Sequence, residues 1–360
     1  MALNKDTLFN AVLAATGGKV YVKYNVNGDP LYMVRIPKFN IEHIDASLGS
    51  GVHPAFVVDG VIKNEIFIGA CQAIFEKGCA ISIPGQSPKT SVNFDQAKTA
   101  CVANGPGFHL MTNWEWAAIA LWCVKNGFQP RGNTSSGKSH EAAYETGTPA
   151  PENAAKILGG SGPVSWRHDN SVGGVADLVG NVWEWNDGLK SVDGRLYFPS
   201  DNNFTQPETQ WPASSIYLDA SAGPGDRSGE ANSGTPILSN AITKHSETPT
   251  PAGGADAGYF DYTYNGAWKS ATVSAGFDSL PLAVRQQAAQ LLITPKLTAG
   301  GTPLFDNIKG GLWVRNYGER FPRRGGDWGC GAYAGLASLS LYYARSTVYT
   351  NGGCRPAFIL

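Results

Sequence analysis

The sequence predicts a loop-rich α+β fold, and three observations lead there. Its 44 glycines and ten tryptophans point to many tight turns fixed by large rings rather than to long helices. Two strand-like runs flank an Asn-Gly pair near the N-terminus, and a capped helical pattern occupies residues 110–123. A hydrophobic content of 42%, with 11% aromatics, supports a real core in a chain of 360 residues.

From the N-terminus, Leu3 to Ala15 fits a short amphipathic helix with Leu8, Val12 and Ala15 on one side, stopped by Thr16-Gly17-Gly18. The runs VYVKYNV (20–26) and LYMVRIP (31–37) follow, joined by a turn at Asn27-Gly28 that marks a hairpin. Residues 1–37 thus read as a helix-plus-hairpin leader, either a docking element or the first part of the main domain. The main domain is expected over 38–360. Within it, Thr112 is placed to cap a helix and Glu115 to reach back to the cap N–H, with Trp116, Ile119, Ala120 and Cys123 on a core face. Residues 186–275 are rich in Gly, Pro, Ser, Thr, Ala and Asn, and read as a large loop-rich insertion. The pattern at 278–293 predicts a helix opened by Asp278 or Ser279, with Pro281 in its first turn.

Composition narrows the function. Charged residues make up 16% and the net charge is −1, which argues against a broad basic surface and so against nucleic acid as a partner. Residues 1–19 lack the pattern of an export signal, and no apolar run approaches a membrane span, so membrane insertion is not expected. The six cysteines have no metal-type spacing and read as buried free thiols. The histidines show no HExxH-type arrangement and read as ordinary polar residues.

Three segments carry a recognisable pattern: LMTNWEWAAIA (110–120), DLVGNVWEWNDG (177–188), and GERFPRRGGDW running on to CRPAF (318–358). In this order they resemble the formylglycine-generating enzyme, the sulfatase-modifying family, which implies a C-type-lectin-like fold over residues 38–360 outside the insertion. Each also has a plain structural reading. Gly180-Asn181 makes a tight turn, Trp183 and Trp185 present rings to bury, and Glu184 caps backbone N–H groups or faces a cation. Gly325-Gly326 permits a backbone path closed to other residues.

The resemblance to the enzyme implies a copper-binding thiol pair five residues apart in the C-terminal segment. Cys330 falls at the first position, but Gly335 occupies the second, and one thiolate makes a poor Cu(I) site. Catalysis is therefore not expected. The same resemblance implies calcium ligands at Asp177 through its carboxylate and at Leu178, Gly180 and Val182 through backbone carbonyls. Oxygen ligands of that kind suit Ca²⁺, so calcium is the one cofactor the reading allows, and none is required.

The C-terminal segment is more similar to the variable proteins of diversity-generating retroelements, which share the fold: Arg324-Gly325-Gly326, Trp328 and Gly331, an apolar alternation, then Gly352-Gly353-Cys354-Arg355. That resemblance implies a variable region at about 324–355, with diversified ligand-binding positions Asp327, Gly329, Cys330, Tyr333, Ser340, Tyr342, Tyr343, Thr347, Tyr349 and Asn351. All ten residue types are reachable from an Asn codon by changing its adenines alone. In SLSLY and STVYTN a period of two places Ser340, Tyr342, Thr347, Tyr349 and Asn351 outward, with Leu339, Leu341 and Val348 inward. Four tyrosines among small polar residues form a paratope-like mixture. The function so implied is binding a cell-surface protein or glycan, as a phage or prophage receptor-binding tail protein made in the bacterial cytoplasm and displayed on the virion. A homotrimer would raise weak binding by avidity. The rivals are an oxidase relative of the enzyme family and a virion protein whose face binds nothing.

Overall fold

The computed structural model describes residues 4–220, 236–242, 261–263 and 268–360. Asn4 caps helix α1 (Lys5–Ala15), its side chain accepting from Asp6 N–H at 3.0 Å. Strands Val20–Tyr24 and Pro30–Pro37 form the expected hairpin, with Val20 opposite Val34. At its turn Gly28 has φ +79°, and Asn25 Oδ1 accepts from both Asn27 and Asp29 N–H.

Residues 20–37 are not a separate leader. Pro30–Pro37 pairs antiparallel with Glu65–Gly69, and the five-stranded sheet runs on through Pro356–Phe358 to Phe108–Leu110. Leu31 and Met33 are fully buried there, so the hairpin cannot leave without opening the core. The first and last of the described strands therefore belong to one sheet.

Asn93 and Gln96 form a capping box at helix α2 (Phe94–Val102), and Thr112 and Glu115 form another at helix α3 (Asn113–Lys125). The predicted core face of α3 is too narrow. Eleven of its 13 residues are buried, because both sheets and the long loops close around it. The predicted helix at 278–293 is divided. Ser274 caps a short turn α4 (Ala275–Asp278), and α5 (Leu282–Gln290) begins only after Pro281. Pro281 is the N-cap, its ψ of 140° lying outside the helical range as an N-cap residue's does.

The described part of the 186–275 segment is not loop alone, because it adds strands to a sheet. Lys190–Val192, Arg195–Tyr197, Ala213–Ala220, Pro236–Ser239 and Thr272–Val273 extend an eleven-stranded sheet from strand Glu319–Gly325. Asp261–Thr263 pairs antiparallel with Leu312–Arg315, and residues 221–235, 243–260 and 264–267 lie outside the described ones. Among the described residues no helix is long and apolar enough to cross a membrane.

The two sheets are joined by a buried ion pair. Glu184, in strand Trp183–Trp185, takes two hydrogen bonds from Arg355 at 2.8 and 2.7 Å, and both residues are inaccessible to solvent. Arg355 also donates to Gly69 O and Ala176 O. The cation facing Glu184 is thus an arginine of the chain. Glu184→Gln should lower unfolding free energy by ~3–5 kcal/mol, since it strands a buried charge. Urea denaturation measures this; a loss below about 1 kcal/mol would mean the pair is not a structural tie.

Two buried histidines couple folding to pH. Burial pushes His53 down to about 3 and His168 down to about 4 from the ordinary 6.5. Both are neutral in the fold, whereas the unfolded chain takes up protons as pH falls through 6.5. Stability should therefore decline from pH 6.5 toward 4, by up to ~1.4 kcal/mol per pH unit for each histidine. Urea midpoints across that range test this. His168→Gln should reduce the slope by about one proton.

Candidate ligand-binding site

Strand Gly335–Tyr343 lies between Leu312–Arg315, parallel to it, and Glu319–Gly325, antiparallel. Across this ladder Trp313, Ser340 and Arg323 stand in register and face one pocket of about 280 Å³. Trp183 adds a second indole, edge-on to Trp313 at 5.0 Å. Asp327, Cys330, Tyr342, Tyr343 and Asn351 complete the wall.

Six of the ten predicted positions therefore meet here: Asp327, Cys330, Ser340, Tyr342, Tyr343 and Asn351. Tyr349 adjoins the wall through Tyr343, ring to ring at 4.9 Å, and Tyr333 stands 6.4 Å from Trp313. Gly329 is exposed beyond the rim and Thr347 is half-buried; neither lines the pocket.

Two features of the predicted alternation are corrected. Ser340 is 1% exposed, because its strand is interior to the sheet and covered on both faces. Residues 344–351 form a loop, not a strand, and Val348 is exposed rather than inward. A period of two has no meaning in that loop. Trp328, part of the motif that carries the resemblance, is half-buried.

Sequence reasoning missed Arg323 and Trp313 and took Trp183 for scaffold alone. Arg323 is 3% exposed, with its guanidinium 4.0 Å from the Tyr343 ring and 5.4 and 5.5 Å from Trp183 and Trp185. Burial lowers its pKa, against the fields of Tyr343 and Asp327. A signal existed in the doubled Arg323-Arg324, since alternate strand residues face opposite sides. Arg324 points the other way and is spent on Asn113 Oδ1 and the carbonyls of Leu291 and Leu292.

The oxidase arrangement has no room. A Cβ on Gly335 would sit 2.2 Å from the Lys309 carbonyl oxygen, so no thiol fits at the second position. Burial, with the nearby Asp327 carboxylate, pushes the Cys330 thiol far up, away from thiolate character. Cys354 is instead buried in the same apolar cluster as Cys101. All six cysteines are free, as expected, and five are buried.

The calcium expectation does not fit either. The carbonyl oxygens of Asp177, Gly180 and Val182 converge at 3.1, 3.3 and 2.9 Å on Gln72 Nε2, which also donates to Glu184 at 3.0 Å. Calcium takes oxygen ligands at about 2.3–2.6 Å, and an amide N–H cannot ligate. The fourth expected ligand, the Leu178 carbonyl, is directed at Gly325, whose glycine hydrogen it needs: a Cβ there would approach within 2.7 Å. Asp177 accepts from Gly160 N–H, and the cationic Arg355 and Arg167 act on its carboxylate, whose pKa burial raises. The melting temperature should be the same in calcium chloride and in EDTA. A rise that grows with calcium concentration would reinstate the site.

The model of the sulfatase-modifying factor enzyme 1-like domain family matches residues 3–211, more than half of the chain. The chain belongs to that family. The match takes in the N-terminal helix and hairpin, in keeping with the hairpin's place in the sheet, and stops short of the C-terminal segment. With its mixed helices and sheets, the fold is the α+β, C-type-lectin-like one expected. Among solved structures, Treponema denticola variable protein 1 is similar at 13% identity with a TM-score of 0.34, covering 94% of this chain and 98% of that one. No curated protein matches.

Proposed function

We propose that this chain binds a ligand through the pocket and its tyrosine rim, and does no covalent chemistry there. The observation that carries the reading is convergence. Positions from three separate segments, 327–330, 340–343 and 351, were singled out by resemblance to retroelement variable proteins, and they line one cavity with stiff aromatic walls. In the finer form of the proposal, the ligand is a surface molecule of a bacterial cell, and the chain is a diversified receptor-binding protein of a phage tail. Several copies would add avidity. A near-copy of the codons for 324–355, differing only at adenines and lying beside a reverse transcriptase gene, is the genomic observation this form requires.

The tyrosines divide into two kinds. Tyr343 packs on Arg323 and on the core around Phe94 and Phe321, whereas Tyr349 is 47% exposed. On an array of bacterial surface glycans and proteins, Tyr349→Ala should weaken the wild-type signal at least ~10-fold, the scale of a hot-spot contact. Its melting temperature should stay within a few degrees of the parent. Tyr343→Ala should lose binding and stability together. If Tyr349→Ala binds like the parent, the rim is not the ligand face.

A further inference from the structure

Three buried polar atoms in the pocket lack a hydrogen-bond partner: Arg323 Nε, Ser340 Oγ and Asn351 Oδ1. Leaving such groups unsatisfied costs about 1–3 kcal/mol each, more for a charge. The contrast with the other buried arginines is sharp. Arg355 has the Glu184 carboxylate, and Arg324 has an amide and two carbonyls. Arg323 makes no ion pair among the described residues. Among the described residues the acid beside it is Asp327, which already accepts from Gly329 N–H at 2.7 Å and from the Asn351 amide. Aromatic faces hold the guanidinium in place, but they leave its Nε edge without an acceptor.

Resting on the binding reading above, we infer that the pocket takes an acidic sugar, with a ring carboxylate on Arg323 and ring hydroxyls on Ser340 and Asn351. The guanidinium edge matches a carboxylate and supplies the counter-charge that the fold withholds. Ser340 can donate or accept, and Asn351 Oδ1 needs a donor, so the ligand must offer hydroxyls close to its acid. A hexuronate does so on one rigid ring. Its apolar face suits the Trp183 and Trp313 indoles, and a cavity of about 280 Å³ holds a single such ring. A peptide carboxylate brings one neighbouring amide N–H and no second donor for this set.

The test is calorimetric titration of the full chain with D-glucuronate, with D-glucose as the neutral counterpart and N-acetyl-L-glutamate as the peptidic acid. Glucuronate should bind at least tenfold more tightly than either. Arg323→Gln should erase its advantage over glucose. Because that substitution also disturbs packing, Ser340→Ala serves as the second variant. It removes an unsatisfied hydroxyl, so it should fold at least as well as the parent and bind glucuronate several-fold more weakly. Equal binding of glucose, equal or tighter binding of N-acetylglutamate, or no heat from glucuronate at roughly 10 mM would overturn the inference. Any of these, alongside an array ligand lost in Tyr349→Ala, would overturn the acid while leaving the binding face in place.

Discussion

Everything near the pocket hangs from the Glu184–Arg355 pair. Arg355 leads into the last strand of the five-stranded sheet, and Glu184 sits in a short strand of the other sheet, so one bidentate contact sets the two sheets against each other. Two charges with no access to solvent tolerate little change of geometry, because every bond lost strands a buried charge. Residues on either side inherit that fixity. Trp183–Trp185 pairs in parallel with Gly352–Cys354, and Trp183 N–H donates to Asn351 O, so the pocket's indole and its amide are placed by the same joint.

Local features of the fold were legible in the sequence, and long-range ones were not. Asn27-Gly28 and the Thr112–Glu115 box are readable because cause and effect lie within a few residues. The same holds for the backbone path at Gly325-Gly326, where both residues have positive φ. The C-terminal alternation misled because a period of two assumes one wet face. Strand Gly335–Tyr343 is an interior strand, and Ser340 looks into a cavity rather than out to solvent. No local pattern marks Arg323 and Trp313 as partners of Ser340; only the sheet register does.

Gln72 shows why carrying ligands over from relatives by motif alone can fail. DLVGNVW keeps the backbone turn whose carbonyls gather at a point, and that part of the resemblance is structural. What fills the point comes from a residue about a hundred positions earlier, as an amide that also accepts from Asn181. An amide N–H among oxygens does the work of a cation without depending on its concentration. Gly335 is the parallel case on the other side of the strand: backbone crowding from Lys309, not merely a changed side chain, removes the thiol pair.

The proposed variable positions share a further property, which bears on how such a surface can change. Several are tied to the fold through their main chain. Asn351 O accepts from Trp183 N–H, Tyr349 O from Ser91 and Gly352 N–H, Tyr333 O from Gly311 N–H, and Cys330 N–H donates to Asp327 O. Ser340 is held by its place in the ladder while its hydroxyl bonds nothing. Backbone ties are indifferent to side-chain identity, so substitutions at these sites alter the lining of the cavity more than the free energy of the fold. On that proposal the constant part of the site would be Arg323, Trp183 and Trp313, which lie outside the ten proposed positions. A fixed cation between fixed aromatic faces would give every variant the same anchor for an anion, and the exchangeable side chains would choose which anion is admitted.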